Sequence, residues 1–389
     1  MKKDGYVLFL TPSFYPNIGG VEKHVLRVSQ ELNKKGYRVV IVTEAIGDST
    51  MPVWRSRYIS ADTPRTDVWI VDTGNNELVH DEISFINSES KKTKIESQAS
   101  KSITVYRLPY IKSGRLKKLY IWFWFFKNKN IIQSAKYIHC HDVFYWYIPF
   151  RFLYPRKRVY TTFHGYEAFP VPRKNIIIRK ISEKFSNGNI CVGDFIKKWY
   201  GTRTDFITYG GVDSENLHDD VIRNYHKPLN ILLLGRLDND IGISLYLSAL
   251  DLLKARNIKF DLTICGNGKL SKRTKRYGNF MGFVNDTSKY IKEADIVFSS
   301  SYLSILESLI FKKMVVAAYE NPLKKDYLEM TPFSKWINIV NTDLQVLKIV
   351  EHLLKGTINQ HKLNEGYKWA VEQKWERTAE LYIHLWSKF

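Results

Sequence analysis

Hydrophobic and polar positions follow two periods along this chain, one typical of buried strands and one typical of helices. Residues 6–11 (YVLFLT) form an unbroken apolar run, as expected for a strand inside a parallel sheet. Between Val21 and Leu32 the apolar positions are spaced by four, three and four residues, which places them on one face of a helix. The run YRVVIVT at 37–43 then predicts a second strand, and the three elements form a βαβ unit.

The same alternation continues through the chain and predicts an α/β protein. Short strands are predicted at VWIVD, ITVYRL, YIHC, RVYTTF, NICVG and TDFIT, with helical or loop stretches between them. A second series begins with the strand LNILLL at 229–234 and continues through FDLTIC, ADIVF and MVVAAY, with helices near 243–256 and 303–312. We therefore predict two Rossmann-like βαβ domains, 1–215 and 216–372, followed by a terminal helix at 373–389.

The charge of the chain points to an anionic partner. Lysine and arginine exceed aspartate and glutamate by 20, which favours nucleic acid, an anionic membrane or a phosphorylated small molecule, although a solvated basic surface is the alternative. No nucleic-acid-binding motif is present, so we expect no nucleic acid partner. The three cysteines are far apart in the sequence and suggest neither a zinc site nor disulfides, as in a cytoplasmic protein. The first apolar run predicts a core strand rather than a signal peptide.

Three glycine-rich turns follow predicted strands. Gly19 and Gly20 open the first helix, Gly235 and Arg236 follow ILLL, and Gly266 and Gly268 follow TIC. Backbone N–H groups and the helix dipole at such turns favour an anion, and an arginine there can bind two phosphate oxygens. Each turn alone is equally well explained as a tight connection, but together they predict one cleft between two domains.

The order of these motifs resembles retaining glycosyltransferases of family 4, which have the GT-B fold. The resemblance rests on FYPNIGGVEKHV, TTFHGYE, ITYGGVD, LLGRLDNDIG, ICGNGKL, MGFVNDTSKYIKEADIVFSSS and ILESLIFKKMVVAAY, which occur in the order of the family over nearly the whole chain. It implies a nucleotide-sugar donor on the C-terminal domain, an acceptor on the N-terminal domain and a terminal helix that packs back on the latter. No metal cofactor is expected, since no DxD motif lies in a suitable place.

The resemblance also implies roles for single residues. His164 would lie beside the donor sugar, Arg236 would neutralise the diphosphate leaving group, and Glu307 would accept the ribose hydroxyls. The implied donor-binding residues are Gly19, Gly20, Gly235, Arg236, Gly266, Asn267, Gly268, Ser299, Ser304 and Glu307. Residues proposed for the acceptor or the edge of the cleft are Glu22, His141, Asp142 and Glu167.

Several positions depart from the pattern of the family. Ile241 stands where a lysine is usual, Ser299 replaces the first glutamate of a Glu-x7-Glu pair, and Lys312 and Met314 replace a glycine and a proline. Two charged donor contacts are therefore missing, or another lysine supplies one of them. A non-catalytic nucleotide-sugar-binding or scaffold subunit is the alternative to an active enzyme.

Two histidines of this chain have a spacing that is also found in metal sites. His139 and His141 form a His-x-His pair at the end of a strand, but no third metal ligand follows at a suggestive spacing, so we interpret the pair as a loop at the edge of the cleft. Asp142 is placed to orient either histidine. His24 is expected on the partly exposed side of the first helix.

The stretch SGRLKKLYIWFWFFKNKN at 113–130 predicts contact with a membrane surface. Eight apolar residues lie between basic flanks, too few to span a bilayer but suited to its interface. The candidate contact residues are Arg115, Lys117, Lys118, Trp122, Trp124 and Lys127. A buried helix with solvated basic ends is the alternative. Together with the resemblance, this stretch predicts a glycosyltransferase peripheral to the cytosolic face of a membrane, acting on a lipid-linked or glycan acceptor.

Overall fold

The structure is a computed structural model that describes residues 5–15, 17, 19–45, 68–72, 102–109, 116–213, 228–284 and 286–388. The predicted domain boundary at residues 215 and 216 and the candidate Arg115 lie outside these residues.

The first half of the described chain forms one sheet. Its eight strands are β1 (Tyr6–Thr11), β2 (Val39–Thr43), β3 (Val68–Asp72), β4 (Ser102–Arg107), β5 (Ala135–His141), β6 (Arg158–His164), β7 (Gly188–Val192) and β8 (Phe206–Thr208). They lie in the order β3-β4-β2-β1-β5-β6-β7-β8. β3 is antiparallel to β4, and the other neighbours are parallel. The continuous apolar runs of β1 and β2 are buried, as a sheet covered on both faces requires.

Helices cover both faces of this sheet. They are α1 (Gly20–Lys34), α2 (Lys117–Lys127), α3 (Lys129–Gln133), α4 (Phe144–Leu153), α5 (Arg173–Phe185) and α6 (Phe195–Tyr200). On one face α1 packs its valines against β1 and β2, and on the other α2 and α4 bury an aromatic cluster that includes Phe125, Trp146 and Tyr147.

The second half forms a smaller sheet in which every strand is parallel. Its strands are β9 (Leu229–Leu234), β10 (Phe260–Cys265), β11 (Asn279–Gly282), β12 (Ile296–Phe298), β13 (Met314–Ala318) and β14 (Asn338–Val340), in the order β11-β10-β9-β12-β13-β14. The helices are α7 (Ile243–Ala255), α8 (Ser271–Thr274), α9 (Ser288–Glu293), α10 (Tyr302–Leu309), α11 (Pro322–Glu329), α12 (Asp343–Leu354), α13 (Gln360–Val371) and α14 (Trp375–Lys388). Short 3₁₀ turns span Asn239–Ile241 and Ser334–Trp336.

Helix α14 belongs by its contacts to the first sheet rather than the second. Its aromatic residues Trp375, Tyr382 and Trp386 are buried in the same cluster as Val25 and Val28 of α1. At the surface, the Lys35 ammonium lies 3.0 Å from the carboxylates of both Glu376 and Glu380. The described part of the chain is thus two Rossmann-like units, with the last helix packed on the first of them.

Candidate functional site

Each sheet has one point at which the strand order reverses. In the first sheet it lies between β1 and β5, and in the second between β9 and β12. Ligands of open α/β sheets bind outside the carboxyl ends of the strands at such points. These ends carry the predicted site residues, because Gly19 follows β1, His141 ends β5, Arg236 follows β9 and Ser299 follows β12.

The loops after β9 and β10 approach each other so closely that glycine is required. Gly235 has φ +129° and Gly266 has φ +157°, and a Cβ on Gly266 would lie 1.8 Å from the carbonyl oxygen of Gly235. A Cβ on Gly268 would lie 2.5 Å from the carbonyl oxygen of Leu237. These glycines therefore hold two strand ends side by side. The exposed Asn267 accepts hydrogen bonds from the Gly268 N–H and the Ser271 hydroxyl at 2.9 and 2.6 Å.

A group of hydroxyls surrounds Gly235. The position of a Cβ there would be 3.5 Å from Ser301 Oγ and 3.9 Å from both Ser299 Oγ and Ser304 Oγ. Ser299 is 1% exposed, and within the described residues its hydroxyl has no hydrogen-bond partner. A buried hydroxyl without a partner is unfavourable, so this one is available to a ligand.

Arg236 directly follows Gly235 in the sequence and forms ion pairs with two carboxylates. Its Nη2 lies 2.6 Å from Asp240 Oδ2 and its Nε 3.3 Å from Asp238 Oδ2. The side chain is 57% exposed, so these pairs add little to stability and can be exchanged for a phosphate. Ile241, where the sequence lacks a lysine, is buried at 5% in the core of the second sheet and faces away from solvent.

Glu307 of α10 connects the two units. Its carboxylate forms an ion pair with Lys23 of α1 and accepts a hydrogen bond of 2.9 Å from the hydroxyl of Thr287. Burial alone lowers the pKa of Lys23, but the Glu307 carboxylate outweighs it and raises the pKa above its ordinary value. Arg27, one turn later in α1, pairs with Asp213 at 2.6 Å.

Four histidines meet at the carboxyl ends of β5 and β6. His164 Nε2 lies 2.9 Å from His141 Nδ1, and the rings of His24 and His164 meet edge to face with centroids 4.9 Å apart. His24 is 2% exposed, so the expectation of a partly exposed His24 is wrong. The sequence did indicate that His24 lies on the buried face of the helix, because it falls three residues after Val21 and four before Val28.

A directed chain of hydrogen bonds runs through this cluster to the terminal helix. Trp386 Nε1 donates to His139 Nδ1 at 3.2 Å, so the neutral imidazole of His139 carries its proton on Nε2. That nitrogen donates to Thr162 Oγ1 at 2.7 Å, and the Tyr382 hydroxyl lies 2.9 Å from both Thr162 Oγ1 and His24 Nε2. Sequence reasoning missed Tyr382 and Thr162, which no local motif marks.

Burial keeps these histidines neutral. It lowers the pKa of His24 to about 3 and holds the pKa of His139, His141 and His164 well below the ordinary value. His139 and His141 are both fully buried behind His164, so the expectation that they form a loop at the edge of the cleft is wrong. The cause is that both belong to β5, whose residues are covered on both faces.

The carboxylates near His164 hold the loop in place. Asp142 has φ +59° and accepts the His164 backbone N–H at 3.0 and 3.2 Å, so it orients the backbone of His164 rather than an imidazole. Burial raises the pKa of Asp142 to about 7. Glu167 is occupied by Arg179 and the Tyr200 hydroxyl.

The first glycine pair has two different surroundings. Gly19 has φ −168°, which any residue adopts, and a Cβ there would lie 2.5 Å from the carboxylate of Glu22. Glu22 therefore already places a negative charge at the start of α1. Among the residues that the structure describes, none comes within 4 Å of a Cβ on Gly20, so none of them fills the space over this residue.

Of the residues predicted to contact a membrane, some are buried or paired and others are exposed. Trp124 is 6% exposed inside the cluster of α2 and α4, so it is not available to a membrane, and this assignment is wrong. Trp122 donates its indole N–H to the Tyr145 carbonyl at 2.9 Å, and Lys117 pairs with Glu44 at 2.6 Å. Lys118 and Lys127 are exposed.

Exposed apolar side chains lie on three adjoining helices of the same unit, together with these two lysines. They are Leu119, Phe123 and Phe126 of α2, Phe152 and Leu153 of α4, and Ile177, Ile178 and Ile181 of α5. We refer to this surface as the aromatic-basic face. None of the helices in the described ranges has the length and apolarity that crossing a membrane requires. Nor do these ranges hold a group of three or more histidine, cysteine or acidic side chains arranged to bind a metal ion.

The family profiles and the curated relatives that match this chain all carry the names of glycosyltransferases. A family profile described as Glycosyltransferase Family 4 matches residues 18–216, and one described as Glycosyl transferases group 1 matches residues 228–324. A subunit of phosphatidylinositol N-acetylglucosaminyltransferase is 45% identical to this chain in its Homo sapiens form and 48% identical in its Arabidopsis thaliana form, in each case over 42 residues. These 42 residues are 11% of this chain and 9% of each relative.

Solved structures resemble the whole chain. Anabaena Alr3699/HepE in complex with UDP has a TM-score of 0.65 at 14% identity, covering 99% of this chain and 100% of that one. A glycosyltransferase from Rickettsia africae ESF-5 has a TM-score of 0.64 at 15% identity, covering 99% and 98%. WaaG, a glycosyltransferase involved in lipopolysaccharide biosynthesis, has a TM-score of 0.56 at 12% identity, covering 96% and 99%. The prediction of the two-domain GT-B fold is confirmed.

Proposed function

The chain belongs to Glycosyltransferase Family 4 and is a glycosyltransferase, and we propose that it moves a sugar from a nucleotide donor to a lipid-linked or glycan hydroxyl with retention of configuration. In this proposal the donor binds mainly to residues 216–372 and the acceptor to residues 1–215, against which 373–389 packs.

One contact supports the proposal above the others. Tyr166, two residues after His164, donates its hydroxyl hydrogen to the backbone carbonyl of Asp240 at 3.1 Å, and the Asp240 carboxylate binds Arg236 at 2.6 Å. The loop that carries the sugar-binding candidate therefore touches the loop that carries the phosphate-binding candidate. Sugar transfer requires that the diphosphate and the anomeric carbon bonded to it are held side by side in fixed positions.

Each role follows from the chemistry of sugar transfer. Negative charge builds on the departing diphosphate in the transition state, and the exposed guanidinium of Arg236 can fork two of its oxygens. The unpartnered hydroxyl of Ser299 and the hydroxyl of the neighbouring Ser304 can donate hydrogen bonds to the nucleotide sugar. Glu307 accepts the ribose hydroxyls once they displace Lys23. His164, neutral and fixed by Asp142 and His141, hydrogen-bonds a hydroxyl of the sugar.

The relatives suggest which donor and acceptor to test first. HepE was crystallised with UDP, and the partial relatives are named for transfer of N-acetylglucosamine to phosphatidylinositol. We therefore propose UDP-N-acetylglucosamine as donor and an anionic lipid headgroup as acceptor. No side chain or backbone atom of the described ranges fills the space over Gly20, near the carboxyl end of β1, where we place the acceptor.

The aromatic-basic face suggests how such an acceptor is reached. Its apolar side chains stand on the same unit as His164 and beside exposed lysines, the combination that suits the interface of an anionic leaflet. We propose that the enzyme is peripheral on the cytosolic face of a membrane, with this face against the lipid.

The test is transfer from radiolabelled UDP-N-acetylglucosamine to lipid extracts by the purified chain, with anomeric configuration of the product read by NMR. Formation of an α-linked product is expected, because the sugar of this donor is α-linked. A β-linked product would refute retention. Absence of any binding to a panel of UDP, GDP and ADP sugars would refute the donor site itself.

A non-catalytic subunit is the second candidate. The observations that favour it are Ile241, which is buried in the core, and Ser299, which brings no charge to the donor site. Nucleotide-sugar binding without transfer to any acceptor extract would support this candidate over the enzyme.

A further inference from the structure

Lys324, in the first turn of α11, is a buried lysine beside the candidate donor site. Its side chain is 2% exposed, and its Nζ donates to the carbonyl oxygen of Ser300 at 2.6 Å. The ring centre of Tyr327 lies 3.8 Å from Nζ and that of Tyr166 lies 6.0 Å away. Lys324 thus reaches the residues that follow β12, directly after Ser299.

The charges that face Lys324 leave its ammonium poorly compensated. Within the described residues no carboxylate oxygen lies within 4.0 Å of its Nζ. Burial lowers the pKa of Lys324 to about 7, with Asp240 acting to raise it and Arg236 to lower it. Tyr166 and Tyr327 are neutral, because burial raises the pKa of both phenols above the ordinary value. A buried cation in this condition gains most from an incoming anion.

We propose that Lys324 is a second cation for the diphosphate of the donor and supplies the charge that position 241 lacks. This inference rests on the proposed function. Ile241 contributes its side chain to the hydrophobic core, whereas Lys324 reaches the switch point of the second sheet from α11, close enough to Arg236 for their charges to interact. Because the diphosphate favours the charged ammonium, Lys324 takes up a proton from solvent as the donor binds.

The proton uptake can be measured directly. We would titrate the full chain with UDP-N-acetylglucosamine, UDP-glucose and GDP-mannose by calorimetry, in buffers of different ionisation enthalpy. The phosphates of these sugars carry no titrating proton near neutral pH. For the sugar that binds, we expect roughly half a proton taken up at pH 7 and almost none at pH 5.5, where the free lysine is already charged.

Variants separate charge from structure. Lys324→Met is expected to weaken binding of the nucleotide sugar at least tenfold and to remove the proton uptake, while binding of the uncharged nucleoside stays unchanged. Lys324→Arg should keep the affinity and lose the uptake. The matched control is Lys313→Met, because Lys313 is equally buried at 1% and donates to backbone carbonyls of Lys292 and Ala294.

The outcomes distinguish this inference from the proposed function. Failure of the wild-type chain to bind any nucleotide sugar overturns both. Binding without proton uptake at pH 7, or a folded Lys324→Met variant with wild-type affinity, overturns only the role of Lys324. If Lys324→Met does not fold, the comparison with Lys324→Arg decides: uptake at pH 7 that persists in this variant comes from another group such as Asp142, whose pKa is also about 7, and overturns the role of Lys324.

Discussion

Lys23 of the first helix forms an ion pair with Glu307 of α10, which belongs to the other unit. The two side chains are 25% and 14% exposed, so the pair is only partly screened by solvent. The carboxylate proposed to receive ribose is therefore held by a cation from the other unit. In the proposed function, the ribose of the donor takes the place of Lys23.

Substitutions at this pair should separate ligand binding from stability. Glu307→Gln is expected to weaken donor binding by roughly ten- to a hundredfold, the loss of hydrogen bonds to a charged acceptor. Lys23→Met removes the competitor of ribose, so donor binding should not weaken, although the free energy of unfolding should fall by about 1–3 kcal/mol. Calorimetric titration and urea unfolding of both variants measure this, and equal loss of affinity in the two would contradict it.

Gly20→Ala tests whether a ligand passes over the start of α1. A Cβ at this position meets no atom of the described part of the chain, and alanine favours a helix over glycine by about 1 kcal/mol, so stability should be unchanged or slightly higher. Transfer should nevertheless fall, because the methyl group would occupy the proposed path of the acceptor. Thermal unfolding and transfer rates check both statements.

The control for this variant is Gly36→Ala, in the turn after the same helix, where a Cβ also meets none of the described residues but φ is +84°. It should lower stability and leave the acceptor KM unchanged. Wild-type activity in Gly20→Ala would show that no acceptor comes near this residue.

The buried histidines predict loss of stability in acid. Folding lowers their pKa, so below about pH 6.5 the unfolded chain binds protons that the folded one does not, and for His24 this continues down to about pH 3. Stability is thus fully present above pH 6.5 and falls by roughly 1.4 kcal/mol per pH unit for each of His24, His139 and His141. Asp142 opposes this between about pH 4 and pH 7, because folding raises its pKa.

Urea unfolding at pH 7.5, 6 and 5 should therefore give a steep decline for the wild type. His24→Gln should reduce that slope by about 1.4 kcal/mol per pH unit, the contribution of one histidine. His384→Gln is the control, because His384 stands on the outer side of α14 and contacts the ring of Phe206. Identical slopes in wild type and His24→Gln would contradict the prediction.

The aromatic-basic face predicts binding to anionic vesicles. Lys118→Gln together with Lys127→Gln should weaken binding to phosphatidylserine vesicles roughly 30-fold, since each lysine near such a surface contributes ~1 kcal/mol. Phe123→Ser should weaken it further by removing a 54% exposed ring. Phe283→Ser, which removes a 47% exposed ring from the other unit, serves as control. Binding that is insensitive to both salt and the lysines would refute docking through this face.

Much of the fold could be predicted, because its strands and helices follow the local spacing of apolar residues. The strand predicted at residues 6–11 is β1 to the residue, and the helix from Val21 is α1 with one more residue at its start. β11 and β14 were not predicted, because Asn279–Gly282 and Asn338–Val340 are too short to show a period. Their strand character comes from pairing with β10 and β13.

The site was harder to predict than the fold, for a physical reason. Motifs at strand ends could be found one by one, but Lys23 and Glu307 are separated by 284 residues and their contact leaves no local trace. The same holds for the histidines, which α1, β5 and β6 contribute separately. Trp124 shows the converse, because a stretch with basic ends and many aromatics does not tell which of its rings face the core.

The position of α14 has a consequence for synthesis of the protein on the ribosome. Helix α1 and the first sheet emerge early, but Trp375, Tyr382 and Trp386, which complete their core, are translated only after the entire second sheet. The first unit therefore leaves the exit tunnel with His24 and His139 lacking partners from α14. The core of this unit is therefore completed during synthesis only when α14 arrives.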